Sequence, residues 1–207
     1  MLRLVPAFAA AALAVAVGTP TAVHAGKFNK VLDVGSAAPA WENLEGTDGK
    51  THSLADLKDK TLVVVVFTCN SCPVAAAYED RIAALARYEP DKLAVVAINV
   101  NTGKDDALPA MTERAARKKF PFPYLYDPTQ EIAKRYGAKY TPECFLLDKD
   151  RKVAYMGAFD DKATGTVKTR YLQNAIPPVM VGKAAGNPAE TSAGAGCAIR
   201  FNPKKSD

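Results

Sequence analysis

TLVVVVFTCNSCPVAAAYEDR, residues 61–81, holds a change of periodicity with two cysteines at its turning point. Thr61 to Phe67 is apolar or β-branched without polar alternation, as expected of a strand buried on both faces of a parallel sheet. From Pro73 the pattern turns helical, carried by Ala, Ile and Leu to about Tyr88. Cys69 falls at the strand-to-helix junction and Cys72 one turn further on. A helix start offers free N–H groups and the positive end of the macrodipole, both of which favour thiolate over thiol. Pro73 suits the first helical turn, where its missing N–H is not used.

Outward from this stretch the elements alternate. Leu93 to Val100 reads as a second buried strand, Asp105 to Lys119 as a helix, and Phe122 to Tyr126 as a short strand. Thr129 to Tyr136 reads as a short helix ended by Gly137. Glu143 to Leu147 and Lys152 to Met156, joined by Asp148-Lys149-Asp150-Arg151, read as an antiparallel hairpin, and Thr166 to Ala175 as a last helix. Upstream, Thr51 to Leu57 is a turn with a helical patch that Ser53 could cap. This order predicts an α/β fold, a central mixed β-sheet flanked by helices on both faces, with the end of strand 61–67 at a solvent-facing sheet edge.

Three segments are expected. Residues 1–25 have a basic start at Arg3, an apolar run from Leu4 to Val17 and small residues at Val23 and Ala25, the pattern of a signal peptide. The run is shorter than the ~20 residues that span a bilayer. A soluble chain starting at Gly26 is therefore expected, exported to a periplasmic or extracellular space, with no stable membrane insertion. Residues 26–176 form the domain. Residues 177–207, rich in Pro, Gly and Ala, read as a weakly structured tail. The net charge of +5 is spread among acids, and Arg114, Arg117, Lys118 and Lys119 fit one solvated helix face, so nucleic acid is not an expected partner.

The four cysteines are Cys69, Cys72, Cys144 and Cys197, which allow three full pairings. The Cys69/Cys72 spacing and setting single that pair out as a redox dithiol, Cys69 attacking and Cys72 resolving. Zinc is the first competitor, but a second ligand pair is missing: Cys144 and Cys197 are isolated and His52 is the one His after residue 25. A structural disulfide is the second, although so short a loop constrains the unfolded chain little. No metal and no cofactor is expected. Cys144 is expected to pack in the core, whereas Cys197 is a candidate resolving or structural thiol.

Cys69, Asn70, Cys72, Pro73, Tyr78, Glu79, Asp80 and Arg81 match a C-N-x-C-P-x-x-x-x-Y-E-D-R signature. Through it the chain resembles the thioredoxin-like redoxins, in particular exported ResA/TlpA-type thiol–disulfide oxidoreductases, from about Val34 to Ile176. The resemblance implies a thioredoxin fold and a cis Pro142 facing the dithiol, with Thr141 offering its backbone to a substrate chain. It implies thiol–disulfide exchange with protein thiols and disulfides, supported by an upstream electron donor. Two positions depart from the pattern: Val63 stands where thioredoxins carry a buried acid, and Ala75 where ResA-like proteins carry Glu. Glu143, beside Pro142, becomes the candidate for proton transfer. Peroxiredoxins share the fold, so hydroperoxide reduction is the main alternative, but Thr68 lies four residues before Cys72-Pro73 rather than three. Sco-type copper binding needs a wider cysteine gap and a late His, and neither occurs.

Overall fold

The computed structural model describes residues 26–194 and 196–203; the expected leader, residues 1–25, lies outside them. The elements are β1 (Leu44–Gly46), β2 (Thr51–His52), β3 (Leu62–Thr68), α1 (Pro73–Ala86), β4 (Leu93–Asn99), α2 (Leu108–Lys118) and β5 (Tyr124–Tyr126). There follow α3 (Glu131–Tyr136), β6 (Tyr140–Thr141), β7 (Glu143–Leu147), β8 (Val153–Gly157), α4 (Tyr171–Met180) and β9 (Cys197–Ala198). One sheet runs β2-β1-β5-β4-β3-β7-β8, and β6 pairs with β9 in a separate ribbon. Strand β3 is parallel to β4 and antiparallel to β7, so the sheet is mixed.

The two-faced burial expected of residues 61–67 follows from the pleat, which sends alternate side chains to opposite faces. Leu62, Val64 and Val66 pack with Tyr78 and Ile82 of α1, Met111 of α2, and Leu172 and Ile176 of α4. Val63, Val65 and Phe67 pack on the other face with Ile132, Ala133 and Tyr136 of α3 and with Leu54. Each such side chain, fully withdrawn from water, contributes about 1.5–3 kcal/mol. Helices therefore cover both faces of a thioredoxin-like fold.

Strand β3 ends at Thr68 because the next residues must turn into α1, and Cys72 is that helix's N-cap, with extended backbone (φ −89°, ψ 115°). Helix α3 stops at Gly137, whose φ of 66° favours glycine.

The C-terminal part differs from expectation. Helix α4 begins at Tyr171 and runs through Pro177 and Pro178 to Met180, across the predicted boundary at 176. The prolines remove N–H donors, but Leu172, Ala175, Ile176 and Val179 keep an i, i+3, i+4, i+7 stripe buried, and that packing outweighs the lost bonds. Beyond it, residues 189–194 and 196–199 form a strap held against the domain by specific contacts. Glu190 accepts backbone N–H bonds from Lys27, Phe28 and Asn29 at 2.6–2.7 Å. Thr191 donates its N–H to Met156, and its hydroxyl accepts from the N–H of Ala158 at 2.9 Å. A side chain at Gly157 (φ 129°) would collide with Thr191. Ile199 is buried in the second core cluster and donates its N–H to the Lys139 carbonyl at 2.8 Å. These contacts rest on single residues without periodicity, so the composition of residues 177–207 carries no sign of them.

Candidate redox site

Parallel neighbours β3 and β4 end side by side, so the loops after both share one edge of the sheet. The first loop carries Cys69, Asn70, Ser71 and Cys72; the second carries Asp106. That carboxylate, 3% exposed, accepts the N–H of Asn70 at 2.7 Å, the N–H of Ser71 at 3.1 Å and the Ser71 hydroxyl at 2.6 Å. The Asn99 side chain donates to the Asp106 carbonyl at 3.1 Å. Asn70 is fixed further by the Tyr124 hydroxyl, which donates to its Oδ1 at 3.1 Å, and by its own Nδ2, which donates to the Asp105 carbonyl at 2.9 Å. The backbone between the cysteines is thus clamped before any sulfur chemistry begins.

At the helix start, the N–H of Ala75 donates to Cys72 Sγ at 3.3 Å. Facing the sulfurs is Thr141, 1% exposed, and the Thr141–Pro142 peptide bond is cis. Thr141 Oγ1 lies 3.4 Å from Cys69 Sγ, and its carbonyl oxygen lies 3.3 Å from Cys72 Sγ. The site thus brings Cys69, Cys72, Thr141 and Pro142 together. A cavity of about 290 Å³ opens beside them, lined in part by Val74, Tyr78, Pro142 and Phe159.

The sulfur pairing departs from the expected dithiol. Cys72 is bonded to Cys197, and Cys69 is a free thiol. The sulfurs are also not at a solvent-facing edge: Cys69 is 3% exposed and Cys72 is 2% exposed. The strap is the cause. Strand β9 pairs antiparallel with β6, in register Thr141 with Cys197 and Tyr140 with Ala198, and so covers the helix start. The Thr141 hydroxyl donates to the Cys197 carbonyl at 3.4 Å.

Glu143 is buried, and its carboxylate accepts the N–H groups of Lys139 at 2.8 Å and Tyr140 at 3.1 Å. Both bonds hold the turn that delivers Thr141, and neither reaches a sulfur. Burial pushes this carboxyl above its ordinary value, opposed by those two N–H groups. Cys144 is fully buried in the first core cluster, where burial pushes its thiol up and keeps it unreactive.

The Tyr78-Glu79-Asp80-Arg81 run is mostly internal wiring. The Tyr78 hydroxyl donates to Asp160 at 2.8 Å, while Arg81 pairs with Asp160 and donates to the Ala163 carbonyl. Glu79 pairs with Arg114 at 2.8 Å and Lys118 at 3.3 Å, so the basic face expected to be solvated is partly spent on α1. Arg114 also donates to the Asn70 carbonyl at 3.1 Å, which links this face to the cysteine loop. Asp106 and Tyr124 carry no signal of their own in the sequence, and Arg114 reads there as part of a solvated helix face. The usable signal for Asp106 was topological: an acid just after a strand parallel to β3 must lie near the end of β3. Among the described residues no cluster of three or more His, Cys, Asp or Glu is placed to hold a metal ion.

A family model described as Redoxin matches residues 33–173. No curated protein matches the chain. Among solved structures it is similar to a hypothetical protein from Sinorhizobium meliloti, at 32% identity and a TM-score of 0.76 over 84% of this chain and 97% of that one. It is equally similar to an uncharacterized conserved protein from Geobacillus kaustophilus, at 33% identity and 0.75 over 83% and 93%. A putative thiol:disulfide interchange protein DsbE from Chlorobium tepidum aligns at 26% identity and 0.52 over 60% and 84%.

Proposed function

This chain belongs to the Redoxin family, as a redox protein of the thioredoxin kind, and from that premise we propose that it is an exported thiol–disulfide oxidoreductase acting on protein thiols and disulfides. The observation that carries the reading is the convergence of Cys69, Cys72 and Thr141 within one contact shell at a helix start. A protein disulfide is the substrate class. The similarity to a DsbE-type interchange protein supports it.

In the reducing direction an upstream dithiol first reduces Cys72–Cys197 and is itself oxidised to a disulfide. The Cys69 thiolate then attacks one sulfur of the substrate disulfide, forming a mixed disulfide and releasing the other sulfur as a thiolate that takes up a proton. The Cys72 thiolate attacks Cys69 Sγ, forming Cys69–Cys72 and releasing the second substrate thiol. The substrate gains two electrons and the enzyme loses two. Thr141 presents its backbone to the substrate segment and Pro142 shapes that seat. The Cys197 thiolate then attacks Cys72 Sγ, restoring Cys72–Cys197 and releasing Cys69 as a thiolate that takes up a proton.

Export is supported by the leader-like residues 1–25 and by a disulfide that persists in oxidising compartments. No helix among the described residues is long and apolar enough to cross a membrane.

The test uses an insulin-like protein disulfide as substrate. Cys69→Ser should abolish its reduction, and Cys72→Ser should accumulate a mixed disulfide through Cys69. A Cys69→Ser protein that turns over normally would overturn the reading.

A further inference from the structure

Strand β9 occupies the main-chain edge of Thr141 beside the sulfurs. It uses the backbone of Thr141, the residue assigned above to a substrate segment, and it supplies a cysteine of its own. The fit is close. A side chain added at Gly196 would stand 2.8 Å from the Thr141 carbonyl oxygen and 3.1 Å from its carbon, so only glycine lets the strap approach this way. The strap is anchored on both sides of this contact. Thr191 is held at Met156 and Ala158 upstream; Ile199 is buried downstream, where Gln130 donates to the Arg200 carbonyl at 2.9 Å and accepts from the N–H of Asn202 at 2.7 Å. Cys69, the free thiol, packs with Cys72 and Cys197 in one cluster beneath it.

We propose that residues 196–198 are a tethered stand-in for a partner strand, closing the site while Cys72–Cys197 is formed and leaving it when Cys69 takes over the bond to Cys72. In that exchange the Cys69 thiolate attacks Cys72 Sγ. The Cys69–Cys72 bond forms, the Cys72–Cys197 bond breaks, and Cys197 leaves as a thiolate that takes up a proton. One disulfide and one thiol stand on each side, so no outside oxidant or reductant enters. With its covalent link gone, β9 is held by two paired residues and the contacts of residues 199–202, which a competing strand displaces together, and the Thr141 edge opens to a cysteine-bearing extended segment. The anchor at Thr191 keeps Cys197 nearby at high effective concentration, so the site recloses when the partner leaves.

This inference rests on the exchange reading above, and its test reads the strap itself. Hydrogen exchange by mass spectrometry on the full chain should find the Ile199 amide protected while Cys72–Cys197 is formed. Reduction or Cys197→Ser should cut that protection about tenfold or more, while the Thr191 amide stays protected. Disulfide mapping in a glutathione buffer should find both Cys72–Cys197 and Cys69–Cys72 in the wild type, and the first alone in Cys69→Ser. Gly196→Leu, which keeps every cysteine, should expose Ile199 as reduction does. Equal protection of Ile199 in all forms, or a wild type that never yields Cys69–Cys72, overturns the proposal. A strap that opens as described in a protein that reduces no protein disulfide would instead overturn the function proposed above.

Discussion

Ser71 is bound twice to one carboxylate: its hydroxyl donates to Asp106 Oδ2 at 2.6 Å, and its backbone N–H donates to Asp106 Oδ1 at 3.1 Å. With the Asn70 N–H on the same oxygen, three donors between the cysteines depend on a single acid from the neighbouring strand's loop. The clamp fixes the loop and also places a negative charge close to the sulfurs, so its gain is geometric rather than electrostatic.

Asp106→Ala should therefore cost stability, because it strands partly buried donors at about 1–3 kcal/mol for each that water cannot reach. We expect a loss of about 2 kcal/mol in urea unfolding, and well under half of that for Asp106→Asn, whose amide oxygen still accepts both N–H groups. An Asn variant as unstable as the Ala variant would show that charge, not acceptor geometry, holds the loop.

Arg81 and Asp160 make a second pairing with a measurable consequence. The Asp160 side chain is 2% exposed, while that of Arg81 is 28% exposed and lies over the Tyr78 ring at 4.2 Å. Removing the cation leaves a buried carboxylate with the Tyr78 hydroxyl as its remaining side-chain donor. Arg81→Ala should destabilise by about 3 kcal/mol, and Tyr78→Phe by about 1 kcal/mol. Thermal unfolding of the two variants checks the order, and a larger loss for Tyr78→Phe would contradict it.

Much of the fold was legible because residues 61–67 and 93–100 are buried on both faces and carry continuous apolar runs, and because Gly137 and Pro73 punctuate their helices. The hairpin β1–β2 and the strap were not. Leu44–Gly46 and Thr51–His52 are too short for periodicity, and β1 is fixed by pairing with β5 far along the chain. At the site, Cys69, Cys72 and the Thr141–Pro142 facing them could be read from local spacing plus resemblance. The Cys72–Cys197 bond could not, since it joins positions 125 residues apart and depends on Gly196, Thr191 and Ile199 steering the strap. Local patterns reveal elements; a contact made by single residues of a non-repeating segment leaves no pattern to read.

Glu143 offers a pH test. Its carboxyl is held above its ordinary value of 4.5, chiefly by burial. A carboxyl raised on folding contributes stability that is full below its unfolded value and lost as pH rises through the folded one. Glutamine cannot titrate but can still accept the Lys139 and Tyr140 N–H bonds. Relative to wild type, Glu143→Gln should thus gain stability between about pH 4 and about pH 7. Urea midpoints at both ends measure it, and a gap that narrows as pH rises would reverse the assigned shift.

The peroxidase alternative turns on what surrounds Cys69. A fast peroxidatic thiolate needs several donors aimed at the peroxide oxygens, an orientation effect worth many orders of magnitude. Here the polar neighbours of Cys69 Sγ are hydroxyls, Thr141 Oγ1 at 3.4 Å and Ser71 Oγ at 3.8 Å, and the second is already given to Asp106. Arg114 spends its guanidinium on Glu79 and the Asn70 carbonyl rather than on sulfur. Stopped-flow mixing of the reduced protein with hydrogen peroxide should give a rate near that of a free thiolate. A rate about 10³-fold faster would require donors preorganised around one sulfur. That outcome would favour the peroxidase, with Cys72 and Cys197 then competing to resolve the oxidised Cys69.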